Sequence, residues 1–528
     1  MLTALSNLIA SLSSLGRRPG LVALAAGLVF LVVGVRHLDA VPQVYEDEPW
    51  QASTAYKLLT AGVFGSDLFT GFYNMDQRHY GFMPLHPLLL AGFFRVLGPG
   101  LVQARLETVT LSLLTLLLTF ALGARLFGGW VGALAVVLLV LVRWTGLTYI
   151  QLTGIPLVDF ARIARYDPMV PVLGLASLHV FLSARAPLGP IHDRWFHALA
   201  GFLAGLAGLA HLYGLFWLPV LIVLAIWDGR PKSAGWLVLG AALPWLPYVA
   251  YVLADVPDWR GQTLIYSTRF ELFNPRWYLD NVVQEYHRYG PGLGPPGPAW
   301  LLRVGFWVSL VALPLSLFLL ARRAIVHADP AARAIVVPAI LLPVLFALSI
   351  KLKLVNYALV EQPLFALAIA WGTRALWLFR RSWARPLIAI LAVAVVLEGA
   401  VQFVRLEQAA QTTTPYQTFI AQVRQYVPPG ARVLGLHTYW FGLQDFDYRS
   451  FLVPLNWADE GLPLDEGLAR VAPDVVLVDA RMREYFNSPE VAGDRARFTL
   501  WLDQHGGTMI GRVDDPTYGL MEVYRVNR

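Results

Sequence analysis

The chain has 528 residues, of which 57% are hydrophobic and only 14% charged, with a net charge of +6. Soluble domains carry about 25% charged residues, so the composition excludes a soluble globule and marks a polytopic membrane protein. The absence of cysteine excludes disulfides, thiolate metal sites and cysteine nucleophiles, and the modest positive charge fits basic cytoplasmic loops rather than nucleic-acid binding.

A transmembrane helix needs about 20 mostly apolar residues, and on that criterion about eleven spans are expected. They cover residues 20–38, 106–127, 129–148, 168–184, 195–210, 211–227, 234–254, 299–320, 334–350, 355–378 and 386–404, with the 195–227 block divided at His211. If the N-terminus is cytoplasmic, every inner loop is basic, from Arg17 and Arg18 to Arg380, Arg381 and Arg385, as the positive-inside rule requires. The outer face then receives segments 39–105, 149–167 and 255–298 and everything beyond 404. The run GPGLGPPGP, Gly290 to Pro298, reads as a loop before a span. Beyond 404 the composition changes: RVLGLHTYWF, PDVVLVDA and TYGLMEVYRV are strand-like runs among turns and charges. The predicted architecture is a mainly α transmembrane domain, 1–404, followed by a small extracytoplasmic α/β domain, 405–528.

The first outer loop opens with VYEDEPWQ, Val44 to Gln51, which sets Glu46, Asp47 and Glu48 in a row. Two readings stand. The acids precede Pro49 and suit a helix N-terminus, or one is a catalytic base at the top of the first span, where it can reach a substrate anchored in lipid. Trp50, Ala52, Ala55, Leu58 and Leu59 recur at helical spacing, which predicts an amphipathic helix over 48–63 lying on the membrane. A second is predicted over 85–96. Between them lies GFYNMDQRHYGFMPLHP, whose Arg78, His79, Tyr80 and His86 are candidates for substrate or phosphate binding. Two histidines without matched spacing make no metal signature.

The second outer segment carries DFARIARYDPM, Asp159 to Met169. Arginines on the outer face run against the sign rule. They are either snorkelling cations and a structural Arg–Asp pair, or ligands for a phosphate near the headgroups; the candidates are Arg162, Arg165 and Asp167. The chain has four lysines, and two of them, Lys351 and Lys353, fall in SIKLKLVNYALVEQP on the same face. They either snorkel at a span end or form a cationic cradle with the Tyr357 hydroxyl as a neutral donor. The loop 255–298 holds Trp259, Arg269, Trp277, Tyr278, Tyr286 and His287; its Trp and Tyr residues suit either sugar faces or a membrane interface.

The ordered set of a first span, Asp47-Glu48, an amphipathic helix, Pro84-Leu85, GFFRVLG, Ala104-Arg105-Leu106 and ALGARLFGG resembles the GT-C superfamily of membrane glycosyltransferases. It is most similar to the protein O-mannosyltransferase and aminoarabinose transferase branch. The resemblance is best over 21–130, at RYDPM and over 340–375. It implies that Asp47 is the general base, with Glu48 supporting, and that Asp167 is a second catalytic acid beside Arg165. It also implies a basic residue, a Tyr and a Pro-containing span in the order Lys353, Tyr357, Pro363. Relatives of the aminoarabinose type carry Lys-Pro-Pro-Leu in the first loop; here Phe82-Met83-Pro84-Leu85 has no lysine, so Arg78, His79 or His86 substitutes or the later cations hold the phosphate.

The function this implies is inverting transfer of a hexosyl or pentosyl unit from a polyprenyl-phosphate donor to a hydroxyl of a glycan, lipid or protein, at the outer face of the plasma membrane. No cofactor is required: Asp47 and Asp167 would allow a divalent metal, but a monophosphate leaving group beside cations does not need one. The alternatives are a transporter or flippase of lipid-linked saccharides, which predicts mid-membrane charges and an internal repeat, and a non-catalytic membrane scaffold.

Overall fold

The structure, a computed structural model, describes residues 17–148, 150–184, 190–267, 269–289, 304–379 and 381–527; the Gly290–Pro298 loop expected from sequence lies outside them, as do Arg185 and Arg380. Each predicted span contains a helix. Five described helices are long and apolar enough to cross a membrane: those within Arg18–Val35, Leu101–Phe127, Val304–Val326, Pro330–Ser349 and Ala384–Arg424. A sixth span results if Ser233–Ala242 and Trp245–Leu253, bent by 45°, count as one. The expected eleven are not reached by this measure. Gly129–Leu141 has 13 residues, about 20 Å of helix at 1.5 Å per residue, short of a hydrocarbon core of about 30 Å.

The shortfall has a structural cause. Apolar runs that read as continuous are broken: the backbone leaves the helix after Leu141, turns as a 3-10 segment over Leu212–Phe216, and does so again over Val355–Val360. Unwound backbone within an apolar layer is stable only where protein or a water-filled cavity satisfies its polar groups, so such breaks mark places where side chains must be delivered to a point.

Helix α1, Arg17–Val35, ends under Arg162. This arginine is 1% exposed and donates to the carbonyls of Val33, Gly34, Arg36, His37 and Val41, covering the acceptors that a helix C-terminus leaves open. α2, Asp47–Ala61, and α3, Leu85–Leu97, follow in the first outer loop, and α4 runs from Leu101 to Phe127. The boundaries match the sequence reading, but the setting of α2 differs. It does not offer a single apolar face to lipid: Glu48, Pro49, Gln51, Ala52, Ser53, Thr54 and Ala55 are all buried, because the C-terminal domain covers it.

That domain is built on strands β1, Arg432–Gly435, β2, Asp447–Ser450, β3, Val475–Val478, β4, Thr508–Asp515, and β5, Gly519–Arg525. The sheet order is β2-β1-β3-β5-β4. β1 is parallel to β2 and β3, whereas β5 is antiparallel to β3 and β4. Ala52, Ala55, Leu90 and Phe94 of the outer loop share one apolar cluster with Phe419, Tyr439, Trp440 and Trp457. Polar contacts fasten the same seam: Arg449 donates to the Asp67 carbonyl at 2.8 Å and Tyr73 to Glu460 at 2.6 Å.

Close approach within the helical domain uses glycine. A Cβ added at Gly174, in the helix Met169–Ser183, would meet Trp217 Nε1 at 1.9 Å, and Trp217 is fully buried. Gly174→Ala is expected to cost about 1–3 kcal/mol by overpacking, read as a lower midpoint in thermal unfolding of the purified protein.

Candidate active site

Asp47 and Glu48 are adjacent at the start of α2, and one residue of helix turns a side chain by about 100°. They therefore face different surroundings. Glu48 points inward and is fully buried, with Oε1 and Oε2 each 2.8 Å from Nε and Nη2 of Arg105. It also accepts the backbone N–H of Tyr45 at 2.7 Å and of Ala164 at 2.8 Å. Arg105 in turn donates to the carbonyls of Leu38 and Pro42. The Glu48–Arg105 pair is a clamp joining the end of the first span, the start of α2, α4 and the second outer segment.

Asp47 points the other way, its side chain 24% exposed, with Oδ2 2.5 Å from Nη1 of Arg165. Among the described residues Oδ1 accepts no hydrogen bond. Arg165 Nε donates to Asp167 Oδ2 at 2.7 Å and Nη2 to the Tyr166 hydroxyl at 3.1 Å. The rings of Tyr45 and Tyr166 flank its guanidinium, each centroid 5.1 Å from Cζ. Asp167 is fully buried, and its Oδ1 accepts Tyr213 Oη at 2.9 Å and Asn356 Nδ2 at 2.8 Å. Two of the three backbone breaks thus have a use: Tyr213 and Asn356 come from them and meet Asp167 at the head of a helix.

Burial raises the Asp47 carboxyl above its ordinary value; Arg165 opposes this, while the charges of Asp167 and Glu48 add to it and Arg269 opposes it weakly. Burial would raise Asp167 as well, but Arg165, His211 and the Asn356 hydrogen bond hold it below the usual carboxylate value. The pair is thereby split into one acid with a raised and one with a lowered proton affinity.

Tyr357 is buried beside this cluster, in electrostatic contact with Asp167, Arg165, Asp47 and Arg269. Its ring lies 4.9 Å from that of Tyr213 and 5.7 Å from that of His211. On the far side of Tyr357 is Arg288, fully buried, with Cζ 5.7 Å from the Tyr357 centroid and 5.1 Å from that of Phe346. Arg288 is the only charged residue, among the described ones, lining an apolar cavity of about 560 Å³ whose walls include Trp144, Tyr289, Trp307, Leu313 and Phe365. Glu285 stands behind it, 2.6 Å from Arg288 Nε and 2.6 Å from Lys353 Nζ.

The sequence candidates therefore separate. Asp47, Arg165, Asp167 and Tyr357 come together. Lys353 reaches the same quarter, but its charge is engaged by Glu285; Lys351 is exposed. Arg162 serves the end of α1 rather than a ligand. His86 is buried between α2, α3 and α4, 2.6 Å from Gln51 Oε1 and 3.0 Å from Glu107 Oε2, and both its nitrogens are used. His79 accepts from Trp50 Nε1 at 3.1 Å, and burial pushes its pKa down to about 3, so it is no cation to replace the missing lysine. Tyr80 is 1% exposed and donates to the Tyr251 carbonyl, and Arg78 lies beside it, in reach of Asp255 rather than Asp47. Tyr213, Asn356 and Arg288 were not singled out from sequence, and Arg105 entered only as part of the Ala104-Arg105-Leu106 motif, with no role given to it. For Asn356 a signal existed: it is a polar residue in SIKLKLVNYALVEQP, next to Tyr357, which was noted.

No protein-family model matches the sequence, and no curated protein does. Solved structures do. ArnT from Cupriavidus metallidurans bound to undecaprenyl phosphate superposes with a TM-score of 0.57 at 15% identity, over 95% of this chain and 97% of that one. The oligosaccharyltransferase AglB from Archaeoglobus fulgidus, in complex with an inhibitory peptide and a dolichol-phosphate, superposes with a TM-score of 0.57 at 11% identity, over 95% of this chain and 74% of that one. Both are GT-C membrane glycosyltransferases. The chain has the GT-C fold. At these identities the likeness is one of fold, and it agrees with the resemblance read from the ordered motifs of the first outer loop. Within the GT-C fold of this chain, the Asp47–Arg165–Asp167 cluster lies where the first and second outer segments meet.

Proposed function

We propose that the protein is a membrane glycosyltransferase that moves a sugar from a polyprenyl-phosphate donor to an acceptor hydroxyl at the extracytoplasmic face of the plasma membrane, with its N-terminus cytoplasmic. The observation that carries this reading is an aspartate with one oxygen held by arginine and the other unengaged, beside an apolar cavity headed by a buried arginine. Chemically, Asp47 Oδ1 takes the acceptor proton as the acceptor oxygen attacks the anomeric carbon. The bond from that carbon to the phosphate oxygen breaks, and the polyprenyl phosphate departs with the electron pair. One displacement inverts the anomeric centre. Tyr357, Arg269 and Arg288 stabilise charge growing on the departing phosphate, and Lys353 tunes Arg288 by sharing Glu285 with it. The tail lies in the apolar cavity. Asp167 does not touch substrate in this scheme: it orients Arg165, as Glu48 and Arg105 orient the loop. Arg165 stands between the two acids, so no step is routed through a metal.

The test is the protein in liposomes with polyprenyl-phosphate hexoses and pentoses labelled in the sugar. Transfer of label with release of polyprenyl phosphate supports the proposal; movement of intact donor across the bilayer without its consumption supports the transporter reading instead. The Asp47 environment sets a pH dependence. Its carboxyl must be ionised, so activity falls on the acid side as pH drops through its raised pKa. Arg165→Gln removes the influence that holds that pKa down, so the acid limb of the pH–kcat/KM profile is expected to move to higher pH, in addition to a lower plateau.

A further inference from the structure

We infer that the C-terminal domain carries a saccharide-binding pocket for the acceptor, formed where its sheet meets the first outer loop. In open sheets with parallel strands, ligands bind outside the carboxyl ends where the strand order reverses. Here the chain passes from β1 to β2 on one side and then to β3 on the other, so the reversal lies between β1 and β3. Directly beyond the carboxyl ends of these two strands is a cavity of about 300 Å³, lined by Thr438 and Tyr439 after β1, Asp479 and Arg481 after β3, Tyr518 of the β4–β5 turn, and Gln43 of the outer loop. That volume is at the lower end of small-ligand pockets, which span about 300–1,000 Å³.

The lining says what fits. Hydroxyl, amide, carboxylate and guanidinium groups converge with tyrosine rings, and the charges nearly balance. Tyr439 donates to Asp479 at 2.6 Å, Asp479 also accepts from Met482 N at 2.8 Å, and Gln43 donates to the Thr517 carbonyl at 3.1 Å, so the walls are held in place. Arg481 is 44% exposed and only loosely paired, 3.7 Å from Glu46. A neutral hydroxyl-rich ring suits such a surface. The three acids of VYEDEPWQ then divide the work: Glu46 faces Arg481 at this pocket, Asp47 faces Arg165, and Glu48 locks onto Arg105. Val44, also in the pocket wall, is three residues from Asp47, at most about 11 Å of chain. A saccharide seated there extends its next unit to the base.

The inference rests on the glycosyltransferase reading but is tested by binding alone. Saturation-transfer NMR on the detergent-solubilised full chain, with a panel of neutral hexose and pentose disaccharides, is expected to detect a bound disaccharide in the wild type and equally in Asp47→Asn. Ala480→Trp, which fills the cavity from an exposed position, is expected to weaken that binding about tenfold or more while thermal unfolding stays unchanged, and Arg481→Ala to weaken it less. Binding of a polyprenyl-phosphate sugar is expected to survive Ala480→Trp; if it too is lost, the pocket holds the donor sugar and the acceptor assignment falls. Absence of any disaccharide binding, or binding indifferent to Ala480→Trp, overturns the inference. Failure of the glycosyltransferase reading shows separately, as movement of intact donor across the bilayer with no transfer of its sugar by the wild type.

Discussion

Asp47→Asn is expected to lower kcat for sugar transfer by about 10²–10⁴-fold, the range general-base catalysis supplies. The amide is nearly isosteric and its carbonyl oxygen still accepts from Arg165 Nη1, so the cluster that joins the two outer segments is retained. What is lost is a group able to take a proton. Because the substitution acts on the chemical step and not on donor contacts, KM for the donor changes little, the pattern expected when an interaction is made only in the transition state. The measurement is steady-state transfer in liposomes, with thermal unfolding alongside. Retention of more than about a tenth of the wild-type rate in the folded variant is incompatible with Asp47 as the proton acceptor of an effect this size.

The second large effect is structural. Arg105→Ala is expected to destabilise the protein by about 3–5 kcal/mol, the cost of removing one partner of a buried ion pair. Glu48 has no access to solvent at that position, and the carbonyls of Leu38 and Pro42 lose their donor at the same time. The loss is read as a lower thermal midpoint and as faster proteolysis within 39–105. Arg105→Met combined with Glu48→Gln is expected to recover part of it, because neither remaining side chain is then a buried unpaired charge. If Glu48 were a catalytic acid, Glu48→Gln would cost activity in proportion to transfer chemistry; as a clamp it costs stability first.

The two acids illustrate how far sequence reasoning reaches. VYEDEPWQ announced a charged cluster at the top of a span, and helical geometry required Asp47 and Glu48 to diverge. Which of them met Arg165, 118 positions away, and which Arg105, 57 positions away, could not be read, since that depends on how the helices pack. The same holds for Arg162 and Arg165: three apart in one short segment, one closes the end of α1 and the other bridges Asp47 and Asp167. That the expected eleven spans are not reached has a related origin. Hydropathy averages over a window, so it marked the division at His211 but not the points at Val142 and Val355 where the backbone leaves the α-helix within an apolar run.

By itself the amino-acid sequence determined that the chain lives in a membrane and that a small α/β unit follows the last apolar run. Those properties follow from local composition and periodicity, which each segment carries alone; the GT-C layout came from a resemblance of the ordered motifs of the first loop, with which the fold agrees. The tertiary structure decided which charges are catalytic candidates and which are fasteners. An ion pair between residues more than a hundred positions apart, such as Asp47 and Arg165, exists only because packed helices hold both ends within hydrogen-bond reach, and no local property of either residue encodes that distance.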